Sequence, residues 1–106
     1  MNPSSTIKIG SVEAPLGQAT PNWVQQQFGD RKNSGENVCV RVTIRIPGVD
    51  LALATPACVS GPGGSRPLTE NEQRIVDLWL HHKLNTNNFN VGQLVAFVQQ
   101  LQRQFR

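Results

Sequence analysis

Residues 38–55 read Val-Cys-Val-Arg-Val-Thr-Ile-Arg-Ile-Pro-Gly-Val-Asp-Leu-Ala-Leu-Ala-Thr, and this stretch decides the fold. From Val38 to Ile46, apolar β-branched side chains occupy every second position. Such alternation is typical of a half-buried β-strand. Pro47 and Gly48 interrupt the pattern, and the alternation resumes at Val49. The stretch therefore predicts an antiparallel β-hairpin with its turn at Pro47-Gly48.

The hairpin also has a predicted register. If Pro47 and Gly48 form the turn, Ile46 lies opposite Val49, Ile44 opposite Leu51 and Val42 opposite Leu53, all on one face. The same register places Arg45 opposite Asp50 on the other face, as a cross-strand ion pair. A slip of one residue would expose the apolar set of the second strand to water, so the pattern and the register support each other.

The N-terminal third is predicted to add a strand and a short helix. Residues 6–12 alternate weakly and are expected to form a third strand, because a two-stranded hairpin alone is marginally stable in water. Thr20 and Pro21 are suited to the N-cap and the first position of a helix. Gly29 is suited to end that helix in the left-handed conformation. A short helix is therefore predicted near residues 21–29.

The C-terminal third is predicted to form a helical hairpin. Thr69 and Glu72 have the spacing of a capping box, which marks the start of one helix. Asn90 and Gln93 repeat that spacing at the start of the next. Apolar residues recur three and four positions apart in both segments, so each helix has an apolar face. The expected fold class is α+β, with a small antiparallel sheet packed against this helical hairpin.

The domain organisation follows from the length and the polar segments. A chain of 106 residues has the size of one domain. Residues 1–5 are predicted to be a disordered tail, and residues 6–106 a single α+β domain. Two segments rich in glycine and polar residues, 29–37 and 56–67, are predicted to be flexible loops.

The composition bounds the location and the partners. The net charge is +3, from ten basic and seven acidic residues spread along the chain, which is a weak signal for acidic partners. The first residues have neither the basic nor the apolar region of a signal peptide. No apolar run approaches the length of about 18 residues that a membrane span needs. We therefore expect a cytoplasmic protein that does not contact a membrane.

The two cysteines, Cys39 and Cys58, are predicted to be reduced. In the hairpin register they lie on the outward face near the open end, diagonally across the two strands. That relation is close to the longest that a disulfide can span. Without a secretory signal, two thiols are the better prediction.

No catalytic or cofactor site is predicted. Cys58 is the one candidate nucleophile, and sequence locates no base to activate it. His81 and His82 are adjacent on a helix and point about 100° apart, so a structural role is favoured over metal binding. The glycine-rich segment 61–65 lacks the lysine of a phosphate-binding loop. We therefore expect a protein that is not an enzyme and has no cofactor.

The candidate binding residues lie on two polar surfaces. The first is the outward face of the hairpin, and the second is the polar face of the last helix. The residues are Arg41, Thr43 and Arg45 on the hairpin, and Gln99, Gln100, Arg103 and Arg106 on the helix. The favoured hypothesis is a small protein-interaction module of adaptor or regulatory type, with another protein as its partner. The alternative is a nucleic-acid-binding protein that uses the arginines of both surfaces.

Overall fold

The computed structural model describes residues 5–29, 38–58 and 67–105. Within these ranges the chain forms a four-stranded antiparallel sheet and three α-helices, so the predicted α+β class is confirmed. The strands are β1 (Thr6–Ile9), β2 (Val12–Pro15), β3 (Arg41–Ile46) and β4 (Val49–Ala54). The helices are α1 (Pro21–Gln26), α2 (Glu70–His81) and α3 (Val91–Gln104), and a short 3-10 helix (Leu16–Gln18) precedes α1.

The β3–β4 hairpin has the register that its sequence predicts. Ile46 pairs with Val49, and Arg45 pairs with Asp50. Gly48 has a φ of +79°, a left-handed conformation that glycine adopts without the steric cost of a Cβ. The alternate residues of β3 are buried and exposed in turn, as a strand with one covered face requires.

The N-terminal segment forms two strands where the sequence predicts one. β1 ends at Ile9, and Gly10 and Ser11 then make a tight turn, with a φ of +62° at Gly10. The chain returns as β2, which begins at the last residue of the predicted strand. The predicted strand over residues 6–12 is therefore wrong in its C-terminal part. The physical reason is that β2 is a four-residue edge strand with no buried side chain, and it is too short to show a clear period of two.

The strand order is β2-β1-β3-β4, so β1 and β3 are central and β2 and β4 are edges. One face of the sheet contributes to the hydrophobic core, together with side chains of all three helices. The core includes Ile7, Ile9, Val42, Ile44, Ile46, Val49 and Leu51 from the strands, and Val24, Ile75, Trp79, Leu94, Phe97, Val98 and Leu101 from the helices. The helices therefore form one layer and the sheet another, and the second face of the sheet points away from the helices.

The first helix begins where the sequence predicts and ends earlier. The Thr20 side chain accepts a hydrogen bond from the Trp23 backbone N–H at 3.2 Å, as an N-cap does. α1 ends at Gln26, and the chain then tightens, because the Phe28 N–H donates to the carbonyl three residues before it. Gly29 has a φ of +52°, which is the left-handed conformation expected of it. The predicted helix near residues 21–29 is thus three residues too long.

The second helix is tied to the sheet edge by its capping box. The Thr69 hydroxyl accepts from the Glu72 N–H at 3.2 Å, and Glu72 Oε1 accepts from the Thr69 N–H at 3.0 Å. The other carboxylate oxygen, Oε2, accepts from the Asp50 backbone N–H on β4 at 3.1 Å. Glu72 is only 1% exposed, so one buried carboxylate stabilises the helix start and holds it against the sheet.

We expect Glu72→Ala to lower the free energy of unfolding by about 2 kcal/mol, because two backbone donors lose a charged acceptor. Glu70→Ala is the matched control, since Glu70 is an exposed acidic residue in the same helical turn. Its effect should stay within about 0.5 kcal/mol. Urea unfolding of both variants checks the prediction, and equal losses would contradict it.

The third helix is anchored at both ends by polar side chains. The Asn90 side chain accepts from the Gly92 N–H at 2.7 Å and so caps the start of α3. Near the other end, Gln102 Nε2 donates to the carbonyls of Leu16 at 2.8 Å and Ala19 at 3.1 Å. A glutamine of the predicted polar face therefore joins α3 to the segment before α1.

The predicted tail and loops lie mostly outside the described residues. Ser5, assigned to the tail in the sequence analysis, is 1% exposed, and its carbonyl accepts from the Leu16 N–H at 2.9 Å. At the start of the predicted loop 56–67, Cys58 is buried. These two ends of the predicted irregular segments are therefore fixed by the fold.

The prediction of two reduced cysteines is wrong, because Cys39 and Cys58 form a disulfide with a Cα–Cα distance of 4.5 Å. Thr55 is the reason that they meet. Its N–H donates to the Val40 carbonyl, and its hydroxyl, rather than its carbonyl, accepts from the Val40 N–H at 2.9 Å. The Thr55 carbonyl accepts instead from the Cys58 N–H at 3.0 Å. This turn brings Cys58 back beside Cys39, whereas the prediction placed the two cysteines diagonally across the two strands.

Candidate functional site

The face of the sheet that points away from the helices carries most of the charged side chains of the strands. Strand pairing aligns its residues in rows across all four strands. We call this surface the outer sheet face; its residues are Thr6 and Lys8 on β1, Glu13 on β2, Arg41, Thr43 and Arg45 on β3, and Asp50, Ala52 and Ala54 on β4. Each of these side chains is exposed or half-buried, so no described residue buries the face.

Arg45 lies between two carboxylates on this face. Its Nη1 is 3.8 Å from Glu13 Oε2, and its Nε is 3.6 Å from Asp50 Oδ1. The ion pair with Asp50 confirms the prediction from the hairpin register. Glu13 was missed because it lies on the unpredicted strand β2. All three side chains are well exposed, so water and salt screen these pairs and their contribution to stability is below about 1 kcal/mol. Their effect is to leave the charge of Arg45 largely balanced.

Lys8 and Arg41 are the other two cations of the outer sheet face. Lys8 on β1 is paired with Thr43 on β3, and Arg41 is two positions further along β3. The two cations therefore lie on neighbouring strands, with Lys8 in the row that contains Thr43 and Arg41 in the next row. Lys8 was not among the predicted site residues. The alternation of residues 6–9 indicates that Lys8 points away from the core. Only the pairing of β1 with β3 shows that Lys8 neighbours Thr43.

The predicted helical residues lie on a different surface. Gln99 and Arg103 are exposed on α3, in the helical layer, and Gln100 is half-buried on the same helix. The core and the sheet separate these residues from the outer sheet face. The structure therefore brings Arg41, Thr43 and Arg45 together, and it does not bring the α3 residues to them. Arg106 lies outside the described residues.

The adjacent histidines occupy the C-terminal end of α2. Their ring centroids are 5.2 Å apart, and the His82 ring lies edge-on to Phe97 at 6.4 Å. Desolvation by burial lowers the pKa of His82 below its usual 6.5, and the nearby His81 lowers it further. Across the part of the chain that is described, no group of three or more His, Cys, Asp or Glu side chains could hold a metal ion. His82, rather than the exposed His81, is thus placed to pack α2 against α3.

The lowered pKa predicts a pH-dependent stability. Below about pH 6.5 the unfolded chain binds a proton at His82 more readily than the folded protein does. The contribution of His82 is therefore complete above that pH and is lost as the pH falls towards the folded-state pKa. We expect the free energy of unfolding to decrease more for the wild type than for His82→Gln between about pH 7.5 and pH 5.5. Urea titrations at both pH values check this, and parallel decreases would contradict it.

Other kinds of site find little support in the described ranges. Cys58, the candidate nucleophile, is bonded to Cys39 and therefore has no thiol in this structure. Of the helices described, none combines the length and the apolarity needed to cross a bilayer. The chain matches no family model, no curated protein and no solved structure. A functional hypothesis therefore depends on the physical character of the surfaces described above.

Proposed function

We propose that this protein is a non-enzymatic protein-interaction module that contacts its partner through the outer sheet face. One observation carries the proposal: a four-stranded sheet has one face in the core, while no described residue buries the other. The uncovered face offers a broad contact surface held rigid by backbone pairing. Rigid surfaces favour association because little side-chain and backbone entropy is lost on binding.

The charge distribution favours a protein over a polyanion as the partner. The outer sheet face has three cations, Lys8, Arg41 and Arg45, and two anions, Glu13 and Asp50, so its formal net charge is +1. Both anions lie beside Arg45. A surface with both signs of charge and small residues between them complements a mixed-charge protein surface better than a row of phosphates.

The test compares two double variants, each of which replaces one arginine and one uncharged polar residue with glutamate. Arg41→Glu with Thr43→Glu alters the outer sheet face, and Arg103→Glu with Gln99→Glu alters the exposed side of α3. Each immobilised protein is exposed to lysate of the source cells at elevated salt, and any retained protein is purified and titrated directly. We expect the partner to bind the wild type and the α3 variant, and to lose at least about tenfold in affinity for the outer-face variant. Equal affinity for both variants would refute the proposal.

Nucleic acid is the second candidate, because Lys8 and Arg41 lie on neighbouring strands of the outer sheet face. With Arg45, at most three cations of this face can contact phosphates. The logarithm of the binding constant for duplex DNA should then fall with the logarithm of salt concentration with a slope no steeper than about −2.7.

Arg41→Gln separates this candidate from the first. If Arg41 contacts a phosphate, the substitution should reduce the slope for random-sequence duplex DNA by about 0.9, whereas Arg103→Gln on α3 should leave it unchanged. Fluorescence anisotropy over a salt series measures both slopes. Absence of binding at low salt, or equal slopes for the two variants, would exclude the outer sheet face as a nucleic-acid site.

A further inference from the structure

The edge of β4 that faces away from β3 presents backbone groups that no strand of the described ranges pairs with. The hydrogen bond between the Thr55 N–H and the Val40 carbonyl shows which residue pairs of the β3–β4 ladder are hydrogen-bonded. In an antiparallel ladder, hydrogen-bonded and non-hydrogen-bonded residue pairs alternate. The odd-numbered residues of β4 therefore bond to β3, and the even-numbered residues direct their backbone groups outward. The even-numbered residues are Asp50, Ala52 and Ala54. Within the described ranges, no strand pairs with this edge of β4.

The two ends of this edge are closed in different ways. The outward N–H of Asp50 donates to Glu72 Oε2 at 3.1 Å. Beyond the other end of the strand, Pro56 has no N–H to donate. The N–H and carbonyl groups of Ala52 and Ala54 remain between them. A strand that adds to this edge must therefore supply hydrogen-bond partners for the backbone groups of Ala52 and Ala54. It need not supply an acceptor for Asp50, whose N–H is already bonded, or for Pro56, which has no N–H.

We propose that a second copy of this chain pairs its own β4 with this edge, antiparallel and about a two-fold axis, with Ala52 of each copy opposite Ala54 of the other. This register forms four backbone hydrogen bonds, two from each copy. The ladder ends before Asp50, because the chain of the second copy turns after Thr55 and the Asp50 N–H already bonds to Glu72. The inference concerns a surface other than the outer sheet face and does not depend on what binds there.

The side chains of β4 fit the same two-fold arrangement. In this register Leu53 lies opposite Leu53 of the second copy, on the face of the sheet that contributes to the core. Leu53 packs against the core but is only partly buried, because it lies on the edge strand. Its own copy would cover the remaining apolar surface. On the opposite face the paired residues are alanines, which leave room for the strands to approach.

The other edge of the sheet shows how a strand that avoids such pairing is built. β2 has four residues and ends in Pro15, and short edges with proline resist the addition of another strand. β4 has six residues, with neither proline nor lysine among them.

A cysteine substitution tests the register directly. Leu53 and its copy form a non-hydrogen-bonded antiparallel pair, whose Cα atoms are about 4.5 Å apart, within the range of a disulfide. Leu53→Cys should therefore give a covalent dimer under mild oxidation, seen on a non-reducing gel. Val12→Cys is the control, since Val12 is 43% exposed on the other edge strand. Cross-linking of Leu53→Cys no faster than that of Val12→Cys would overturn the proposal.

Proline at position 54 tests the hydrogen bonds. Ala54→Pro removes an outward donor from each copy without removing a β3–β4 bond, so the monomer should keep its fold. We expect the dissociation constant of the dimer, from sedimentation velocity, to rise about tenfold to a hundredfold. Ala54→Ser keeps the backbone donor, so its dimer should have the same dissociation constant as the wild-type dimer. Thermal unfolding verifies that each variant is folded. A wild type that is monomeric at all concentrations, or a dimer equally stable in the proline variant, would overturn the proposal.

Discussion

Reduction of the Cys39–Cys58 disulfide is expected to lower the free energy of unfolding by about 3 kcal/mol. The bond closes a loop across a sequence separation of 19 residues. Once it is broken, the unfolded chain gains the conformations that this closure excludes, and the folded protein gains little. For a chain of this size, whose total stability is about 5–15 kcal/mol, the loss is a large fraction.

The measurement is urea unfolding with and without a reductant. A Cys39→Ala, Cys58→Ala double variant is the control, because it should be as unstable as the reduced protein and indifferent to the reductant. The prediction fails if reduction changes the free energy of unfolding by less than about 1 kcal/mol. It also fails if the double variant responds to the reductant as the wild type does.

The disulfide bears on where the protein resides. Persistent disulfides are characteristic of oxidising surroundings, and reducing systems in the cytoplasm keep most thiols unpaired. The cytoplasmic location stays a prediction from sequence. In that compartment we expect the reduced, less stable form, and mass spectrometry of protein alkylated directly in its source cells distinguishes the two forms. The disulfide test therefore measures how much stability depends on the compartment.

Phe97→Ala should lower the free energy of unfolding by about 3–5 kcal/mol. The Phe97 side chain is fully buried on α3, and its ring meets Trp79 of α2 edge-on, with centroids 5.3 Å apart. Truncation removes a large apolar surface and leaves a cavity between the two helices. Because the same ring also lies beside His82, the substitution loosens the contact at the C-terminal end of α2.

Phe105→Ala is the matched control for Phe97. Phe105 caps the end of α3, is half-buried, and has the Arg74 guanidinium 5.5 Å from its ring centroid. Its truncation should cost about 1 kcal/mol, since less surface leaves the core. Denaturant unfolding of both variants gives the comparison. Similar losses would mean that Phe97 is not the centre of the helix packing.

The hairpin was predictable because two independent local signals agree. The period of two from Val38 to Ile46 selects the strand face, and Pro47-Gly48 sets the turn. Together they leave one register, and the Arg45–Asp50 ion pair follows from it. The capping box of α2 was predictable for a similar reason, because its hydrogen bonds lie within four consecutive residues.

The candidate site was predictable only in part. Arg41, Thr43 and Arg45 share a face because they alternate along one strand. Lys8 and Glu13 join them through the pairing of β1 with β2 and β3, which connects residues distant in sequence. Gln99 and Arg103 have the same polar character as the outer sheet face. A polar helix face looks the same in sequence whether it lies beside that surface or, as here, in the other layer.

Sequence by itself determined the α+β class, the hairpin with its register, and the start of each helix, because backbone geometry and side-chain periodicity act over a few neighbouring residues. Tertiary structure alone decided the position of β2, the pairing of Cys39 with Cys58, and the bond from Glu72 to the edge of β4. Each depends on groups brought together across turns or between layers. Their free energy comes from contacts that exist only when the whole sheet and its helices are assembled.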